Sequence, residues 1–259
     1  MLGSLLAAMT SRATTILLLV LCALPACGGR ARAQDLRRAT VWDLKLGQPI
    51  ATQPSADEFR GFACGADGGP PRRPLGGWSG YKLCAPEPSG LYEVYFEYDD
   101  ENEYIARARD LPREVARWAG TTEAGFPVIV SALFAADGVL KAIRIVTDPR
   151  PDHRDDTNDA DLKPRESAYL LGARIAARFN IEPTRDCVEL PAASGETGVG
   201  DLFVKQSCQR VDAGAGRKVT LRVNFFRKPG QSGVNPQLPT ELTSGQFESL
   251  ARVEILALD

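Results

Sequence analysis

Six carboxylate or amide side chains crowd residues 152–161: Asp152, Asp155, Asp156, Asn158, Asp159 and Asp161. Hard donors of this kind are what calcium takes, roughly six to eight at a time. The spacing is not that of an EF-hand, because no glycine sits at the sharp turn and no glutamate closes the loop. If a cation binds, Asp152, Asp155, Asp156, Asp159 and Asp161 are the expected ligands, in a weak calcium-type site. The competing reading is a solvated polar loop, its repulsion partly screened by Arg150, Arg154 and Lys163.

Other chemistry finds less support. His153 is the one histidine, and nothing beside it marks a paired nucleophile. Ser79-Gly80-Tyr81-Lys82 matches the Ser-x-x-Lys of penicillin-recognising enzymes. It lies in a glycine-rich, poorly helical context, without a Ser-Asp-Asn or Lys-Thr-Gly partner. The glycines of 195–200 resemble a phosphate cradle, but no lysine closes the motif. Acids are too common for one catalytic pair to stand out.

Six cysteines are present, and the first two belong to a leader. Arg12 ends a short basic region, residues 13–24 are apolar, and Ala31-Arg32-Ala33 offers a small-x-small cleavage site before Gln34. That is a bacterial-type signal peptide covering residues 1–33. The alternative is a lipoprotein box, Leu24-Pro25-Ala26-Cys27, with Cys27 lipidated. Residues 34–259 then form a single exported domain. Cys64, Cys84, Cys187 and Cys208 remain, an even number that reads as disulfides in an oxidising compartment. Three connectivities are possible. The expected one is Cys64–Cys84 with Cys187–Cys208, because each pair brackets one local unit, and each bridge would contribute about 3 kcal/mol. No Cys-x-x-Cys is present, which argues against zinc.

Removing Arg12, Arg30 and Arg32 with the leader, and no acid, takes the formal net charge from −2 to −5. An acidic chain lacks the basic footprint of general nucleic-acid binding. Beyond the leader, no stretch is long and apolar enough for a transmembrane helix.

The elements that would position these groups are mostly strands. Residues 126–147 read as a hairpin around Asp137-Gly138, apolar on both faces and so central in a sheet. Residues 91–99 alternate Tyr92, Val94, Phe96 and Tyr98 with Glu93 and Glu97. A return strand over 104–109 would set Arg107 and Arg109 against those acids. A third hairpin joins 202–211 to 218–228. Ser55 and Glu58 have capping-box spacing. Pro164 opens the best helix, running to about Asn180, and Ser244 caps a last short helix through Phe247 and Leu250. Pro70-Pro71-Arg72-Arg73-Pro74 reads as an exposed loop or, alternatively, a polyproline ligand.

The expected fold is therefore α+β: a mainly antiparallel sheet of three β-hairpins, one principal helix packed on it, and two disulfides. The expected function is a non-catalytic periplasmic or cell-envelope protein, binding a protein or small molecule or assisting an assembly. A periplasmic hydrolase with unassigned acidic residues and a weak calcium module using 152–161 are the alternatives. No other cofactor is expected.

Overall fold

The structure is a computed structural model, and it describes residues 39–98, 105, 108–111, 121–148, 167–231 and 247–258. Its frame is one antiparallel sheet of nine strands. These are β1 (Arg60–Cys64), β2 (Tyr92–Glu97), β3 (Thr122–Glu123), β4 (Phe126–Phe134), β5 (Leu140–Thr147), β6 (Cys187–Glu189), β7 (Val204–Asp212), β8 (Arg217–Phe226) and β9 (Glu248–Ala257). Two short α-helices described in full accompany them, α1 (Leu171–Arg178) and α2 (Pro183–Asp186).

The strand order is β1-β2-β4-β5-β9-β8-β7-β6, with β3 alongside β4. The sheet is thus two antiparallel meanders laid head to head. β1, β2, β4 and β5 make one half, and β6 to β9 make the other. The halves join where β5 pairs with β9. The hairpin at 126–147 sits at the centre, and every residue of β4 from Val128 onward is buried. Gly138 supplies the positive φ of its turn, at 86°. A second tight turn, Ala124-Gly125, has φ of 51° and 83° and joins β3 to β4.

Two expected elements are different. The described residues of the expected return strand are not extended: Ile105 and Ala108 are helical, and the Arg109 N–H donates to the Ile105 carbonyl at 3.0 Å. Both edges of β2 are already occupied, by β1 and β4, so no ladder was left for a return strand. The expected helix through Phe247 and Leu250 is instead the start of β9. Ala251, Val253 and Ile255 are buried while Arg252 and Glu254 point the other way, a period of two that a helix cannot satisfy. The Ser55 side chain does cap a 3-10 turn, but Glu58 turns away to accept from the Ala39 N–H.

One face of the sheet is packed. Val94 and Phe96 of β2, Val130 and Phe134 of β4, Ile145 of β5 and Val253 of β9 share one apolar cluster with Leu171 and Ile175 of α1. Phe96 and Phe134 are fully buried, each side chain stabilising the fold by about 1.5–3 kcal/mol. Trp78 sits edge-on among Phe59, Phe62 and Phe96, with ring centres 4.7–5.3 Å away. Helix α1 lies so close that a Cβ on Gly172 would come within 2.4 Å of Val223. The helix begins, among the described residues, with a 3-10 turn at Ala168–Leu170.

The disulfides are Cys64–Cys84 and Cys187–Cys208. The second links residues directly opposite in the β6–β7 ladder. Both sheet edges are blunted. Residues 72–75 pair along the free side of β1, through Arg72 N–H to the Cys64 carbonyl and Leu75 N–H to the Phe62 carbonyl. Pro74 lies in that segment and cannot donate onward. The proline-rich stretch is therefore tied to the sheet. The opposite edge strand, β6, has only three residues. No helix among the described residues is long and apolar enough to cross a membrane.

Candidate functional site

The chemistry gathers on the other face. Alternation along β5 turns Arg144 away from the core, yet its side chain is only 6% exposed. The reason is the segment after β1. Residues 65–69 fold across this face, with Gly68 at φ 75° and no room for a Cβ, which would lie 2.4 Å from Val146. Gly65 likewise lies against Glu93, which a Cβ there would meet at 2.3 Å. The chain then rounds the β1 edge through 72–75 and reaches the packed face at Trp78 and Tyr81. The Cys64–Cys84 bond closes that wrap.

Arg144 is the hub beneath the loop. Its Nη1 and Nη2 take the Glu87 carboxylate at 2.6 and 3.2 Å. Nε meets Glu254 at 2.8 Å, and Nη1 also lies 3.1 Å from Glu93 and 3.3 Å from Asp67. Glu93 is itself held by the backbone N–H groups of Asp67 at 2.6 Å and Gly68 at 3.2 Å. On β9, Arg252 binds Asp67 at 2.5 Å and Glu254 at 2.7 Å. Two guanidiniums thus tie together four carboxylates from β2, β9 and the two loops.

These contacts dominate the protonation. Burial works against the charge on Arg144, but hydrogen bonds and charges from Glu87, Glu93 and Glu254 outweigh it and hold the group more firmly protonated. Burial pushes Glu254 up; the Arg252 and Arg144 hydrogen bonds pull it further down, below its ordinary value. Asp67 follows the same balance, through Arg252 and Arg144. Such carboxylates stay ionised and engaged, which suits a structural lock and not a general acid. The Ser131 hydroxyl, 1% exposed and flanked in register by Tyr95 and Arg144, has no hydrogen-bond partner among the described residues.

A second carboxylate behaves differently. Glu123 accepts from the Trp42 indole N–H at 2.9 Å and from the Tyr98 hydroxyl at 3.4 Å. The Arg178 guanidinium lies 3.7 Å from the centre of the Trp42 ring. Burial pushes the Glu123 carboxyl up, and the Trp42 and Tyr98 hydrogen bonds, together with the charge of Arg178, recover only part of that.

Of the catalytic and metal sites expected from spacing, only Ser79 and Lys82 are described, and they join neither cluster. Ser79 and Lys82 fall on a 3-10 helix, Trp78–Leu83, and both are exposed. Asp152, Asp155, Asp156, Asp159, Asp161 and His153 lie outside the described residues, and no cluster of potential metal ligands occurs among the described ones. Glu93 and Glu97 face Arg144 and Arg60. The hub had no local signature, because its members are up to 187 positions apart in the chain, Asp67 to Glu254.

The lid ends at β9. Beyond it, the same face of β8, β7 and β6 is open. Its side chains are Lys218, Thr220, Arg222 and Asn224, then Lys205, Ser207, Gln209 and Val211, then Val188. Arg222, Ser207 and Gln209 are exposed, and the valines are 52% and 64% exposed at 211 and 188. No family model matches the chain, and no curated protein or solved structure is significantly similar to it.

Proposed function

We propose that this chain is a non-catalytic binding or assembly-accessory protein of a bacterial cell envelope. Residues 1–33 would direct its export, and residues 34–259 would work in the periplasm or outside the cell. The two disulfides are compatible with an oxidising compartment. The observation that carries the reading is the division of one sheet face. Over β2, β4, β5 and β9 the carboxylates are consumed by Arg144 and Arg252 beneath a stapled lid. Over β6–β8 the same rigid surface is presented to solvent. A fixed sheet bearing uncommitted polar groups supports recognition better than it supports bond cleavage.

Glu123 favours a second reading, a hydrolase. Its raised pKa is the property of a general acid. One experiment separates the two. A photoreactive residue at position 220, on the open half, is compared with one at position 133, under the lid, in cells of the native host. Binding predicts adducts from 220 and none from 133. Hydrolysis of envelope polymers by the purified protein, lost in Glu123→Gln, would overturn the binding reading.

A further inference from the structure

We infer that the open half of the polar face docks an acidic, extended polypeptide along β8. This rests on the binding reading above and names the partner's chemistry. Arg222 stands directly opposite Arg252 in the β8–β9 ladder. Like charges so placed repel unless each is neutralised. Arg252 is neutralised by Asp67 and Glu254. Arg222 has Ser207 as its neighbour on β7, and no carboxylate partner among the described residues. Lys218, on the same face of the same strand, also has none there; its cross-strand neighbours are Val211 and Leu256. Elsewhere on this face cations are matched: Lys205 holds Glu196 at 2.8 Å.

The two unmatched cations lie four residues apart on a strand, a separation of roughly 13 Å. Thr220 sits between them, with Gln209 beside it and Asn224 beyond. An extended partner chain presents alternate side chains on one face, so carboxylates at positions i and i+4 meet both cations. A polar residue at i+2 meets Thr220 and Gln209. Exposed Val188 and Val211 flank this track and supply apolar contact. Phe226, which follows Asn224 on this face, is buried and packs on Phe203, so the track from Lys218 to Asn224 carries no ring on which a sugar or a nucleobase would stack. Two cations without a carboxylate partner among the described residues are also sparse for an anionic membrane, which recruits clusters of roughly four to eight Lys and Arg. Acidic polypeptide is the occupant that fits.

The test titrates the full mature chain with a fluorescein-labelled serine decapeptide carrying aspartate at every fourth position, read by anisotropy at low and physiological salt. Polysulfated dextran and vesicles of phosphatidylglycerol and phosphatidylethanolamine are run in parallel. The expected result is binding that weakens with salt and falls roughly tenfold or more in Lys218→Glu/Arg222→Glu. Lys218→Gln/Arg222→Gln, which introduces no repulsion, should lose part of it with unchanged thermal unfolding. No binding at low salt, or equal binding by the reversal variant, overturns the proposal. Tighter and equally variant-sensitive binding of dextran or vesicles overturns the choice of polypeptide. Adducts from position 220 in cells, without peptide binding, would leave the binding function standing and remove this inference alone.

Discussion

The two halves of the sheet have the same topology, a four-stranded meander, and each carries one disulfide near its outer edge. They use it differently. Cys64–Cys84 closes a loop that lids the polar face and buries Arg144 with its carboxylates. Cys187–Cys208 joins adjacent strands and covers nothing on that face. Each half places an arginine on this face, but the one on β5 is covered and ringed by carboxylates, while the one on β8 has neither among the described residues. Burial turns the first into a structural commitment and leaves the second available.

The sharpest way to break this contrast is Arg144→Met. It strands Glu87 and Glu93 without a counter-charge and leaves Glu254 to Arg252 alone, and stability should fall by about 3–5 kcal/mol, read from the urea midpoint. Wild-type stability in that variant would mean the hub is not what holds the lid. Next come the disulfides. With loops of 20 and 21 residues, the two double-serine variants should each lose about 3 kcal/mol. Only Cys64→Ser/Cys84→Ser should speed hydrogen exchange at the Asp67 and Gly68 amides. Equal acceleration in both variants would erase the distinction between clamp and tie.

Gly68→Ala is a smaller perturbation of the same lid. The added methyl meets Val146 and the backbone has positive φ, so a loss of about 1–3 kcal/mol is expected. Thermal unfolding beside a Gly216→Ala control, where a Cβ meets nothing within 4 Å, isolates the clash.

Acid should also discriminate. Asp67 and Glu254 have lowered folded pKa values, so their contribution is complete above the ordinary carboxylate range and drains as pH falls toward the folded values. Glu123 is raised, so the folded state holds its proton longer than the unfolded chain does, and stability declines as pH rises through that window. Glu254→Gln should flatten the acid limb of the urea-midpoint profile, while Glu123→Gln should remove the opposite slope. The smallest effect is expected on the open half. Arg222→Met should change stability by no more than about 0.5 kcal/mol, against the several lost at Arg144.

Local chemistry made the central hairpin readable, because Asp137-Gly138 demands a tight turn and β-branched residues flank it. It also marked the hairpin of β7 and β8, the cysteine pairs and the helix near Leu171. What stayed hidden was non-local. Glu93 alternates with apolar neighbours and so resembled a solvent-facing residue; a loop beginning only after Cys64 buries it. Ala251, Val253 and Ile255 do alternate, but Ser244 and the spacing of Phe247 and Leu250 suggest a short helix just ahead of Val253. Arg144 sits on a strand without any nearby acid in sequence, so nothing local marked it as a hub.

The place of β9 has a consequence in time. The strand that joins the halves is synthesised after all the others, and its partner β5 precedes it by about a hundred residues. Until β9 arrives, β5 and β8 each present a bare edge of unpaired N–H and C=O groups, the kind that recruits foreign strands. Closing so long a loop is entropically slow. Half-sheets waiting in that state would be open to aggregation, and pairing of the ten-residue β9 with both ends the exposure.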